Sequence, residues 1–125
     1  MKHWIPSVIL ALLIFFLSNE SSLPGSDLAP DYVAHFCVYG LLSLTVLWGL
    51  TAGLRRKLTA GLAAVGFVIT TAYGFTDEFH QMFIPGRNPA WSDIAADTLG
   101  AACFILLAVV AVRLWLRRAE TAVLR

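Results

Sequence analysis

The sequence is organised around residues 73–93, YGFTDEFHQMFIPGRNPAWSD, which place acids, a histidine, an amide and an arginine within a few turns. The rest of the chain is apolar: 58% of its 125 residues are hydrophobic and 14% are charged, with a mean hydropathy of +0.75. Ionisable residues are costly inside a membrane, so such a group indicates a functional site. We predict a polar site at one membrane face, built from this stretch and two neighbouring helices.

Four apolar runs predict helices at about residues 4–18, 31–50, 58–80 and 92–116. The second run is close to the ~20 residues that span a bilayer. The first has the position of a signal peptide, but no usual cleavage site follows it, and we interpret it as a retained helix. The predicted fold is all-α: one domain over residues 1–125, an integral membrane bundle of four transmembrane helices.

Basic residues predict the orientation of this bundle. Eight of the nine lysines and arginines fall on one side of it, and only Arg87 falls on the other. By the positive-inside rule both termini are cytoplasmic and residues 73–93 face outward. The net charge of +1 gives no indication of a nucleic-acid partner. Cys37 and Cys103 lack metal or redox spacing, and we interpret them as buried small residues.

Polar residues recur at helical spacing near the outer ends of the last three helices. Asp31, His35 and Tyr39 share one face of the second helix, His35 lying roughly 6 Å below Asp31 and Tyr39 roughly 12 Å below it. An unpaired charge at the depth of His35 is costly, so a purely solvated role is disfavoured. Interhelical hydrogen bonding without further function stays open for His35, Tyr39 and Gln81.

The third and fourth helices carry most of the acids. Glu78 and Gln81 share a face of the third helix, and Asp93, Asp97 and Gly100 line one face of the fourth, where the glycine permits close approach of another helix. Asp77 cannot share the face of Glu78, and a solvated role for it is as good an interpretation as a place in the site.

The predicted site is rich in negative charge. Several carboxylates in a low dielectric cannot all stay ionised unaided, so a carboxyl is protonated, the histidines are charged, or a divalent cation such as Mg²⁺, Mn²⁺ or Zn²⁺ binds. These three possibilities stay open. The groups concerned are the carboxyls of Asp31, Glu78, Asp93 and Asp97, with Arg87, His35 and His80 against them.

Two kinds of role follow from these residue types. A histidine beside carboxylates suits acid–base chemistry, and Arg87 suits binding of a phosphate or carboxylate, or else neutralises Glu78 or Asp93. We predict catalytic roles for Asp31, His35, Glu78 and His80, with Asp31 orienting the imidazole of His35. We predict substrate-binding roles for Tyr39, Gln81, Arg87, Asp93 and Asp97. No serine elbow, glycine-rich phosphate loop or Cys–His signature is present.

These residues resemble the VanZ-like family of small membrane proteins. The resemblance runs through Asp31-x-x-x-His35-x-x-x-Tyr39, then Asp77-Glu78-x-His80-Gln81-x-x-x-Pro85-Gly86-Arg87, then Asp93-x-x-x-Asp97-x-x-Gly100. It implies a multi-pass protein of the bacterial plasma (inner) membrane, linked to the cell envelope and to teicoplanin-type antibiotic resistance. It also implies an enzyme acting on phosphate-containing lipid head groups or lipid-linked glycans. Because some members carry Asn at position 97, hydrogen bonding is implied there rather than metal ligation.

Two other functions stay open. A non-catalytic protein could bind membrane lipids, lipid-linked envelope precursors or a lipoglycopeptide through the same residues. A transporter or channel would need a homo-oligomer, because four helices in one chain are few and the first helix has no polar residues in the middle of its span. The near absence of charge in the cytoplasmic halves of the predicted helices argues against a continuous polar path.

Overall fold

The computed structural model describes residues 1–20, 31–87 and 90–123, and within these ranges the chain is helical and contains no strand. Four α-helices follow a short 3₁₀ turn at Lys2–Trp4: α1 (Ile5–Ser18), α2 (Asp31–Leu50), α3 (Ala60–Gln81) and α4 (Trp91–Val123). The all-α class and the four predicted helices are therefore confirmed. Residues 21–30, which connect the first two predicted helices, lie outside the described ranges.

Local sequence accounts for the helix bounds. Pro6 stands in the first turn of α1, where its missing N–H is not needed. Thr59 caps α3, its side chain accepting a hydrogen bond from the Leu62 amide at 3.2 Å. The last helix runs to Val123 rather than to about 116, because no glycine or proline follows Arg118.

Helix α2 lies at the centre and contacts each of the other three α-helices, α4 most extensively. The side chains of His35 and Asp97 meet between the starts of α2 and α4, so these two helices run parallel. Tyr39 of α2 meets Asp77 near the end of α3, so α3 runs antiparallel to α2. The polar ends of α2, α3 and α4 thereby lie together at one end of the bundle.

Glycine makes the α2–α4 contact possible. A Cβ at position 100 would collide with the carbonyl oxygen of Phe36 and would lie 2.9 Å from its carbonyl carbon. The predicted close approach at Gly100 is confirmed, and it brings backbone against backbone in the way small residues do between membrane helices.

Polarity inside and outside the bundle is inverted relative to a soluble protein. Among the described residues, buried polar or charged side chains outnumber buried hydrophobic ones, and large apolar side chains such as Phe16 and Leu107 are exposed. Ile14, Tyr39 and Val46 belong to a small apolar core between α1 and α2.

The interpretation of the cysteines as buried was wrong, because Cys37 and Cys103 are both exposed. Each lies on the outer face of its helix, a position that apolar composition alone does not distinguish from the core.

Two helices, α2 and α4, are long and apolar enough to cross a membrane. The first helix is apolar but shorter, and α3 carries threonines and its polar last turns. The four-span topology therefore stays a prediction.

Candidate functional site

A cavity of about 110 Å³ lies between α1, α2 and α3 at the polar end of the bundle. We call it the polar pocket. Asp31, His35 and Tyr39 all line it, as their spacing on one face of α2 predicts. A pocket of this size admits several water molecules or a small anion such as phosphate. Its other polar walls are Asp77, Gln81, Arg87 and Ser18.

Hydrogen bonds fix the deep wall of the polar pocket. The Tyr39 hydroxyl donates to Asp77 Oδ2 at 3.0 Å, and Gln81 Nε2 donates to the same oxygen at 3.2 Å. Tyr39 and Asp77 are both buried. The His35 ring stacks on Tyr39 with centroids 6.0 Å apart and planes within 6° of parallel. A solvated role for Asp77 is therefore excluded, because its carboxylate is an internal acceptor joining α2 to α3.

The partner of His35 is a carboxylate from a different helix. Its Nδ1 lies 2.9 Å from Asp97 Oδ1, across the α2–α4 contact. The Asp97 side chain is only 2% exposed and that of His35 is 11% exposed. A Cβ at position 74 would lie 2.7 Å from Asp97 Oδ2, so Gly74 of α3 makes room for this carboxylate. Asp97 thus has the hydrogen-bonding position that the resemblance implies, and it sets the orientation of the imidazole.

Arg87 contacts neither of the acids proposed from sequence as its neutralising partners, Glu78 and Asp93. Its Nη1 lies 3.5 Å from Asp31 Oδ2 at the mouth of the polar pocket, where the Asp31 side chain is 57% exposed and the Arg87 side chain 14%. Within the described residues the buried Arg87 Nε has no hydrogen-bond partner. Asp31 contacts Arg87, and the carboxylate that orients the imidazole of His35 is that of Asp97. The predicted orienting role of Asp31 is therefore filled by Asp97.

Three acids and His35 form a second polar group, which we call the carboxylate cluster: His35, Glu78, Asp93 and Asp97. One ligand atom from each of His35, Glu78 and Asp93 lies within 4.8 Å of the others. Glu78 Oε2 accepts from the Ala90 amide at 3.2 Å. Glu78 Oε1 and Asp97 Oδ2 are buried and have no hydrogen-bond partner among the described residues.

His80 stands apart from both groups. Its Nε2 lies 3.1 Å from Asn19 Oδ1 at the end of α1, and its ring stacks on Phe15 with centroids 4.7 Å apart. These contacts join α3 to α1, and no other predicted site residue is among them. The geometry therefore gives His80 a packing position, and its predicted catalytic role is left without support from a neighbouring site group.

Sequence reasoning missed the contribution of α1. Ile14, Leu17 and Ser18 close one side of the polar pocket, and the Tyr73 hydroxyl donates to the Ala11 carbonyl at 2.6 Å. Ser18 is a polar residue at the end of an apolar run, and this feature of the sequence could have indicated that α1 lines the pocket. Nothing in the sequence pairs Tyr73 with a backbone carbonyl of another helix.

An apolar groove of about 360 Å³ opens on the other side of α3, between α3 and α4. Glu78 is its charged wall, and the remaining walls are apolar: Phe75, Phe79, Met82, Ala90, Trp91 and Ile94. A carboxylate in the wall of an apolar groove suits a molecule that has both an apolar chain and a polar group.

Comparison with known proteins identifies one family. The family model described as VanZ/LLP1 matches residues 3–113, nearly the whole chain. No curated protein and no solved structure matches the chain at a significant level. The match covers every residue of the polar pocket and of the carboxylate cluster.

Proposed function

The chain belongs to the VanZ/LLP1 family, and on that premise we propose that it is a multi-pass protein of the bacterial plasma membrane. We propose further that it acts on phosphate-containing lipid head groups or lipid-linked glycans at the outer leaflet. The observation that carries this proposal is the convergence of ionisable groups from α2, α3 and α4 at one end of an otherwise apolar bundle. Membership of this family suggests a membrane protein similar to those of teicoplanin resistance.

Two features support four membrane spans with the site outside. The bundle exposes apolar side chains and buries polar ones, as a lipid surrounding requires. The polar end holds Arg87, whereas the other basic residues precede α1, link α2 to α3 or lie between residues 113 and 125. The positive-inside rule then makes that second end cytoplasmic.

Arg87 supports a phosphate ligand. Its guanidinium lines a pocket with room for one phosphate group, and its Nε has no partner among the described residues. A planar guanidinium binds phosphate oxygens through paired hydrogen bonds. Asp31, at the mouth of the pocket, would hold Arg87 in place. A bound phosphate would then take over some of the N–H donors of the guanidinium.

His35 and Glu78 supply the acid–base groups. With Nδ1–H donated to Asp97, the second imidazole nitrogen keeps its lone pair and can take a proton from an attacking water. Water oxygen then bonds to phosphorus as the bond to the leaving oxygen breaks, and a protonated Glu78 carboxyl returns a proton to that oxygen. Tyr39 and Gln81 hold the pocket wall in place.

The test compares lipids and lipid-linked precursors, by mass spectrometry, in cells with and without the protein. We expect the wild-type chain to change a phosphate-containing class and the Arg87→Ala variant not to change it. Arg113→Ala removes an exposed arginine of α4 far along the helix from the site and should act as wild type. An unchanged profile with the wild-type chain, or full action by Arg87→Ala, would contradict the proposal.

A binding protein without catalysis is the second candidate, and the apolar groove beside Glu78 favours it. An acyl chain in the groove would bring a polar head group to this carboxylate without any reaction. Glu78→Gln keeps the size and the hydrogen-bonding capacity but removes proton transfer. If Glu78→Gln retains the full cellular effect, binding explains the function and catalysis does not.

A further inference from the structure

We propose that His35, Glu78 and Asp93 bind one divalent transition-metal ion, with Asp97 orienting the histidine. The site would join α2, α3 and α4 at the polar end of the bundle. This inference goes beyond the proposed function, because metal binding can be measured without any lipid. With the ion in place, His35 and Glu78 would act as its ligands and would not transfer the protons that the metal-free mechanism assigns to them.

The spacing of the three ligand atoms fits one ion. Ligand atoms about 2.0–2.2 Å from a Zn²⁺ ion lie at most about 4.4 Å from one another. In the protein, one atom from each of His35, Glu78 and Asp93 lies within 4.8 Å of the others. Side-chain shifts of a few tenths of an ångström would therefore complete the arrangement.

Buried oxygens without partners point to a missing positive charge. Glu78 is 3% exposed and Asp97 is 1% exposed, and each keeps one carboxylate oxygen with no hydrogen-bond partner in the described ranges. Arg87 does not supply the charge, because it contacts Asp31. A buried carboxylate charge without a partner is strongly unfavourable, and a bound dication would offset that cost.

The contact between His35 and Asp97 resembles the hydrogen bond that a carboxylate makes to a metal-binding histidine. Metal-binding histidines usually donate one ring N–H to a carboxylate, which fixes the tautomer and frees the other nitrogen for the metal. Asp97 Oδ1, 2.9 Å from His35 Nδ1, provides this acceptor, and we assign Nε2 to the ion. One imidazole with two carboxylates suits Mn²⁺ or Zn²⁺ better than Ca²⁺.

The experiment measures Mn²⁺ binding to the full-length chain, purified without a polyhistidine tag in detergent micelles. Loss of the electron paramagnetic resonance signal of free Mn²⁺ reports binding. Mn²⁺ is chosen because the exposed thiols of Cys37 and Cys103 would compete for softer ions. We expect one ion per chain, displaced by Zn²⁺.

Matched variants locate the ion. Glu78→Gln and Asp93→Asn should abolish binding, and Asp97→Asn should weaken it by about 10–100-fold, as changes to the carboxylate partner of a metal-binding histidine usually do. Asp77→Asn is the control: Asp77 is equally buried and adjacent to Glu78, but its carboxylate accepts from Tyr39 and Gln81, so binding should persist.

Three results would overturn the proposal: no Mn²⁺ or Zn²⁺ bound by the wild-type chain, equal binding by Glu78→Gln, or loss of binding in Asp77→Asn alone. Thermal unfolding with and without Mn²⁺ gives a second measurement for variants that fold poorly. The ion should raise the unfolding temperature of wild type and of Asp77→Asn, and a shift of the same size in Glu78→Gln would also overturn the site.

Discussion

Replacing Gly100 by alanine should loosen the α2–α4 contact and the site built on it. The added Cβ would collide with the carbonyl oxygen of Phe36 and lie 2.9 Å from its carbonyl carbon, where ordinary contacts are 3.4–4 Å. For the Cβ to reach 3.4 Å from this carbonyl carbon, the helices must separate by about 0.5 Å, and relieving the collision with the carbonyl oxygen requires a larger separation. Both atoms of Phe36 belong to the backbone, so no side-chain rotation relieves the collision.

The expected loss of stability combines three effects. Overpacking of this kind costs about 1–3 kcal/mol, and the better helix propensity of alanine returns up to about 1 kcal/mol. The His35–Asp97 contact, 2.9 Å long and about one turn away, is stretched and loses up to about 1 kcal/mol. The last two effects are opposite in sign and similar in size, so they offset each other and the net destabilisation should be about 1–3 kcal/mol. Metal or substrate binding should weaken with it.

Unfolding by sodium dodecyl sulfate in mixed micelles, followed by circular dichroism, measures this free energy. Gly61→Ala is the matched control, because the nearest atom to its Cβ would be Thr59 Oγ1 at 3.9 Å. That variant should be neutral or up to about 1 kcal/mol more stable. If Gly100→Ala and Gly61→Ala have the same stability, the backbone contact between α2 and α4 does not exist as described.

Two further predictions concern the pocket wall and the topology. Tyr39→Phe removes the hydroxyl that donates to Asp77 and should cost about 1–2 kcal/mol of unfolding free energy in the same assay, whereas a loss near zero would show the bond to be absent. A reporter enzyme fused after Arg87 should be active outside the cell and one fused after Lys57 inside, and the reverse result would invert the membrane orientation.

Periodicity within one helix predicted a large part of the site. The four-residue spacing of Asp31, His35 and Tyr39 correctly placed all three on one wall of a pocket, and Gly100 correctly marked a close helix contact. Such inferences succeed because they need only the geometry of a single α-helix.

Contacts between helices could not be predicted in the same way. The four-residue spacing on α2 suggested Asp31 as the partner of His35. In the structure, the way α2 packs against α4 places Asp97 next to His35 instead. The sequence left a solvated role open for Asp77, yet Asp77 and Glu78 are both buried. They face different neighbours: Asp77 contacts Tyr39 of α2, and Glu78 contacts Ala90 before α4. A sequence alone does not say that a helix is covered on two sides.

A double-mutant cycle on His35 and Asp97 tests most directly whether ionisable groups of separate helices converge. The unfolding free energies of His35→Phe, Asp97→Ala and the double variant give the coupling between the two side chains, because each change removes one partner of the hydrogen bond. The 2.9 Å buried contact predicts a coupling of at least about 1 kcal/mol, and a smaller value for His35 and Asp31, which lie four residues apart on α2. A His35–Asp97 coupling indistinguishable from zero, in variants that fold, would contradict the convergent site.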